Sequence, residues 1–247
     1  LAPKSDIDLL FLVKNKNSNK IKSNGSEKVI QEILYFLWDL GFSVGHSTRT
    51  VHQIFDYVKE DITFLTSLID HRFLIGDKQL FKSFQKTFQT FTKKYNTFEY
   101  IKNKLTEADQ RHKKFGSSRF LIEPNVKEGK GGIRDIQTLI WISKFAYNSK
   151  NIFHLLKSGF FIKKELYILS NSYKFLLSTR CYLHLLSNRE NDNLDIESQI
   201  EIAKLMGFRQ KEFQRPVERF MKRYYIAAKN IGSLTRIFFS VIEDEFK

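Results

Sequence analysis

Two aspartates one residue apart, Asp6-Ile7-Asp8, stand at the entry to a short apolar run, Asp8–Val13 (DLLFLV). In an extended segment residues i and i+2 point to the same face, so both carboxylates can converge on one point. Two carboxylates a few ångströms apart repel each other, and one would take up a proton unless a cation lay between them. Mg²⁺ suits such a pair, because it takes one or two carboxylates together with waters and phosphate oxygens. Held against a triphosphate, it offsets charge on the attacking and leaving oxygens. The same spacing also describes two solvated aspartates at a strand end, and the tripeptide alone leaves both readings open.

A second stretch, Glu123–Asp135 (EPNVKEGKGGIRD), combines Gly129, Gly131 and Gly132 with Lys127, Lys130 and Arg134 just before an expected helix. Glycines let a backbone approach a ligand closely, and a helix N-terminus with basic neighbours suits phosphate. An ordinary glycine loop, with Asp135 favouring the helix dipole, fits equally well. It is not a Walker A loop, since no Gly-Lys-Ser/Thr follows at the required spacing. In Phe42–Thr50 (FSVGHSTRT), His46, Ser47 and Arg49 offer polar groups beside the aspartates, with Arg49 leaning towards an anion contact. The other histidines, at 52, 71, 112, 154 and 184, show no metal-ligand spacing and read as structural. Cys181, the only cysteine, lies among apolar residues and reads as a small core residue. No Gly-x-Ser-x-Gly elbow supports a serine hydrolase.

The elements that must position these groups follow from periodicity. Asp8–Val13 reads as a buried strand, Lys14–Ser26 as a loop, and Val29, Ile30, Ile33, Leu34, Leu37 and Leu40 as a helix closed by Gly41. Phe42–Thr50 alternates and reads as a second strand. Beyond Val51 the pattern turns almost wholly helical. Helices are expected over about 51–70, 77–95, 96–114, 134–148, 163–188, 195–206 and 213–245, with loops at 116–132 and 187–195. In the last helix Val217, Phe220, Met221, Tyr224, Ala228 and Ile231 share one face, and Arg215, Arg219, Lys222 and Arg223 another.

Composition bounds the answer. With 247 residues, Gly 11 and Pro 3, the chain is too poor in turn residues for a many-stranded sandwich or barrel. A hydrophobic fraction of 42% excludes global disorder. The longest apolar run, Ile33–Trp38, is far short of the ~20 residues that span a bilayer, so no membrane partner is expected. Lys+Arg 41 against Asp+Glu 27 gives +14, which calls for an anionic partner. The densest basic stretch, Lys14–Lys22, lacks the aromatics of a single-strand binder, so nucleic acid is not expected. One cysteine suits a reducing cytoplasm. The opening Leu1, with no leader, is read as the start of an internal piece of something longer.

Three segments, LAPKSDIDLLFL (Leu1–Leu12), WDLGFSVGHSTRTV (Trp38–Val51) and EPNVKEGKGGIRDIQTLIW (Glu123–Trp141), resemble the bifunctional PII uridylyltransferase/uridylyl-removing family, and RHKKFG and PVERFMKRYY fall in the expected order. The resemblance implies α/β plus all-α architecture: a polymerase-β-like nucleotidyltransferase domain, N-terminally incomplete, over 1–76, then a helical domain over 77–247. It implies transfer of UMP from UTP to a tyrosine of the PII signal protein, with Asp6 and Asp8 catalytic and holding Mg²⁺. Arg49, Lys127, Gly131, Gly132 and Arg134 would contact phosphates. A third carboxylate, common on the following strand in this fold, is missing from Phe42–Thr50, leaving Glu123 or Asp135 as candidates. The uridylyl-removing activity belongs to a downstream His-Asp domain and is not expected here, as no His-Asp dipeptide occurs. A glutamine synthetase adenylyltransferase-like enzyme and a non-catalytic PII-docking module are the alternatives.

Overall fold

A computed structural model describes residues 2–14, 24–58, 61–116, 118–148 and 159–246. Most of the basic stretch after Lys14, and His154, lie outside them. The chain divides into two compact units, Lys4–Tyr95 and Asn96–Lys247, the latter joined by Leu1–Pro3. The mostly helical class with one small sheet agrees with the expectation.

In the first unit, β1 (Ile7–Val13) and β2 (Val44–Thr50) pair in parallel, with Ile7 opposite Val44 and Val13 opposite Thr50. A parallel pair needs a crossover, and α1 (Asn24–Asp39) supplies it. Leu34 is buried, whereas Val29, Phe36 and Leu40 stay exposed. One helix was expected over 51–70; two form, α2 (Val51–Val58) and α3 (Ile62–Ile69). Asp61 ends the continuity, because its carboxylate accepts from the Thr63 N–H at 2.7 Å and caps a new helix. Asp77 does the same for α4 (Lys78–Lys94), accepting from Gln79 and Leu80. It also takes Lys14 at 2.8 Å, and this lysine with the two amides holds its carboxyl at about 2. Phe84 on α4 stacks on Phe55 of α2 with ring centroids 6.2 Å apart and on Phe88 at 5.9 Å, and His71 meets Phe84 edge-on. This aromatic packing binds α4 to the first unit, which by contact extends to Tyr95.

The second unit is built from α5 (Thr97–Lys114), α6 (Ile133–Tyr147), α7 (Lys163–Ser187), α8 (Ile196–Leu205) and α9 (Pro216–Glu245). At 1.5 Å per residue the 30 residues of α9 run about 45 Å, and all four other helices pack on it. Phe220, Tyr224, Ala228, Ile231 and Phe238 turn its expected apolar face into the core, together with Leu139, Leu176 and Ile202. Tyr100 of α5 stacks on Phe145 of α6 at 4.1 Å. Cys181 is half-buried rather than a core residue. No helix among the described residues is long and apolar enough to cross a membrane.

Candidate functional site

Asp8 is the second residue of β1, and Asp6 immediately precedes the strand. The ladder already begins at Ile7, whose N–H donates to Ser43 O at 2.9 Å. Both aspartates are exposed. Among the described residues neither carboxylate has a hydrogen bond or ion pair. Asp8 lies opposite Gly45 in the parallel register, and a Cβ at position 45 would come 2.9 Å from Asp8 Oδ1. Gly45 thus leaves open the space beside the carboxylate that any other residue would fill. Two exposed carboxylates with free lone pairs and a glycine alongside fit the oxygen-donor set that Mg²⁺ takes.

Register partners in a parallel sheet share a face, so Ser47 and Arg49 stand on the side of Asp8. Arg49 Nε donates to Ser47 Oγ at 3.0 Å, and its guanidinium lies 4.1 Å from the Tyr57 ring centroid and 5.8 Å from that of Phe64. These contacts orient the side chain while its two terminal amino groups keep no partner among the described residues. Four register steps separate it from Asp8, roughly 13 Å. His46 alternates to the other face, edge-on to Trp38 at 6.3 Å, and so is not beside Asp8.

The 123–135 loop has a different character. Asn125 Oδ1 accepts from the N–H groups of Lys127 and Glu128, making a tight turn. Val126 N–H donates to Asp192 O and Leu194 N–H to Pro124 O, tying this loop to the one after α7. The first α6 amides, which phosphate would need, are already bonded: Ile133 to Val126 O, Arg134 to Lys127 O and Asp135 to Gly132 O. Gly131 has φ +78°, and a Cβ there would lie 2.1 Å from Ala228 O on α9. Gly132 is buried, its Cα walled by the carbonyls of Val126, Lys127 and Gly129. Gly131 therefore admits α9's backbone and Gly132 the carbonyls of its own loop, rather than a ligand. Lys127 pairs with Glu190 at 3.1 Å and Arg134 with Glu128 at 3.1 Å.

Asp135 is 2% exposed. Its Oδ1 accepts from Arg111 Nη2 at 2.5 Å and from His112 Nε2 at 2.8 Å, and its Oδ2 accepts from Gly131 N–H at 2.8 Å. Burial alone would raise its pKa, but the His112 bond and the charges of His112 and Arg111 outweigh it and hold the carboxyl below its usual range. Glu123 Oε1 accepts from Ile196 N–H at 3.2 Å, at the start of α8. Both candidates for a third carboxylate thus already serve the second unit. Among the described residues no group of three or more His, Cys, Asp or Glu is gathered for a metal.

A second ionic knot escaped the sequence reading. Arg180 Nε donates to Asp192 Oδ1 at 2.5 Å and His184 Nε2 to the same oxygen at 3.2 Å, with Lys127 at 3.7 Å from its partner oxygen. Arg180 and His184 are i and i+4 on α7, a spacing that could have signalled a shared partner. The partner itself, inside a polar loop, carried no signal. Arg111 was visible only as part of the RHKKFG resemblance, while His112 also read as structural, the role its bond to Asp135 gives it.

No solved structure matches the chain. The family described as GlnD PII-uridylyltransferase matches residues 99–239, more than half of the chain and nearly all of the helical second unit described above. The buried polar knots around Asp135 and Asp192 and the glycine passage at Gly131 fall within that match, which spans most of α9 and of the four helices packed on it, and the chain belongs to the PII-uridylyltransferase family.

Proposed function

We propose that the chain carries a Mg²⁺-dependent nucleotidyltransferase activity, moving UMP from UTP to a tyrosine of the PII protein and releasing pyrophosphate. Membership of the family supports the transferase class and the PII partner. The observation that carries the site is the unpaired Asp6/Asp8 couple at the mouth of β1 with Gly45 open beside it. Strand alternation carried back one residue puts Asp6 on the side of Asp8. These two would hold Mg²⁺, which when bound lowers the repulsion between triphosphate and carboxylates. Arg49, braced by Ser47 and Tyr57, is oriented to take a phosphate oxygen through its free amino groups. In the reaction the tyrosine oxygen bonds to the α-phosphorus as the α–β bridging P–O bond breaks, giving uridylyl-tyrosine, pyrophosphate and a proton. Lys127, Gly131, Gly132 and Arg134, occupied as described, are left out of this phosphate set.

Labelled UTP, purified PII and Mg²⁺ test the reading. Asp8→Asn should reduce transfer at least about a hundredfold, and Gly45→Ala should raise the Mg²⁺ needed for half-activity about tenfold, as outer-shell changes do. Both variants should keep the wild-type helical circular dichroism. Full transfer by Asp8→Asn, or transfer that survives removal of divalent ions, would refute the site. AMP transfer from ATP in place of UMP would favour the adenylyl alternative.

A further inference from the structure

Beside α9, on the second unit alone, lies an open groove of about 470 Å³ with Phe120, Met221, Tyr225 and Ile226 as its apolar walls. Phe120 and Ile226 are 63% and 50% exposed, which water tolerates poorly when such residues adjoin. The groove is preformed. Tyr225 Oη–H donates to Leu121 O at 2.9 Å, and the Phe120 and Tyr225 rings stand 5.7 Å apart. Its helical side runs from position 218 to 229 at i, i+3/i+4 spacing, about three turns or 16 Å.

The rim gives the sign of the occupant. Lys222 and Lys229 flank the apolar walls about 10 Å apart along α9, and neither has an ion pair among the described residues. Glu218, the one acid of the rim, is held by Arg215, which donates to it through Nε at 2.8 Å and through its backbone N–H at 3.0 Å. The two ammonium groups are thus left to an outside anion. A small apolar molecule would remain wet on its open side. A second copy of this chain would bring its own +14 against these lysines.

We propose that this groove docks an acidic segment of a protein partner, about three helical turns long, whose apolar side chains enter between Phe120 and Ile226 while its carboxylates meet Lys222 and Lys229. This is the helix-in-groove mode of recognition. It is independent of the Asp6/Asp8 reading and needs no metal.

The probe is a fluorescein-labelled twelve-residue amphipathic peptide with Leu at i, i+3, i+4 and i+7 and Glu on the flanks, titrated by anisotropy without Mg²⁺. A control carries Lys for every Glu. The acidic peptide should saturate and bind at least about tenfold tighter than the basic one. Lys222→Glu with Lys229→Glu, two solvent-facing changes, should invert that preference, and Ile226→Asp should abolish binding of both peptides. Asp8→Asn should bind as wild type does. Absence of saturation up to about 1 mM, or an unchanged preference in the double variant, would overturn the proposal. So would a wild-type dimer in sedimentation that Ile226→Asp converts to monomer, which would assign the groove to a second copy.

Discussion

Replacing Asp135 by Asn isolates the charge at the centre of the second unit while keeping the side chain's shape. The wild-type carboxylate is 2% exposed and satisfies a buried guanidinium, an imidazole and an amide at once. An Asn oxygen can serve the Arg111 and His112 side or the Gly131 side, and its amide nitrogen then faces a donor. Removing one partner of a buried ion pair costs about 3–5 kcal/mol, since the other charge stays desolvated. We expect a loss of about 3 kcal/mol at pH 7, or roughly 6–12 °C in Tm for a unit of this size. The assay is urea unfolding followed by Trp141 fluorescence in a Trp38→Phe background, because Trp141 lies on α6 beside the knot and Trp38 in the other unit. The pH dependence fixes the cause. The folded carboxyl titrates below its unfolded value of about 3.9. Its contribution is therefore complete above that value and is lost as the pH falls through the folded one. The gap between wild type and Asp135→Asn should narrow below about pH 4. A gap under about 1 kcal/mol at pH 7, or one constant from neutral to acid, would refute this account.

Lys104 is 1% exposed, with Glu107 as its carboxylate partner and its ammonium 5.0 Å from the Trp141 ring centroid. Burial pushes its pKa down against the pull of Glu107. Glu107, unlike the partners of Asp135, is 39% exposed and stays hydrated when the ammonium is removed, so Lys104→Met should cost little and can gain up to about 1 kcal/mol in the urea midpoint; a loss above about 1 kcal/mol would make the pair a net contributor. Gly131→Ala combines a left-handed backbone with a clash against Ala228 O and should cost more than about 3 kcal/mol. Gly207→Ala, with φ +75° and open space around it, should cost only the backbone's 1–2 kcal/mol, about what a left-handed alanine requires. Equal losses in the two would show that the Ala228 contact yields freely.

Most of the helices were legible because their ends are written locally. Asp77, Asn96 and Asp195 each cap a helix within a residue of its expected start. Asp61 caps α3 in the same way, but the apolar residues on either side, Ile54 to Val58 and Leu65 to Leu68, hid the break within one expected helix. The place of Asp6 and Asp8 at the head of β1 was legible because an apolar run follows them and strand alternation acts over two residues. The role of the 123–135 loop could not. Its glycines and cations look the same whether they cradle phosphate or wrap around a helix backbone. The difference is set by Ala228, Glu190 and Asp192, between 60 and 100 positions away in the chain. Partners at that separation leave no periodicity.

The same remoteness has a kinetic side. The turn that starts α6 is closed by Asp192 from beyond α7, and its glycine bend rests on Ala228, deep in the final helix. Contacts so distant along the chain are slow to form, because a large loop must close before any reward follows. During synthesis α5 and α6 would emerge long before the segments that lock them together. The second unit should therefore acquire its fixed form late and all at once, when α9 packs into place, and become protease-resistant only then.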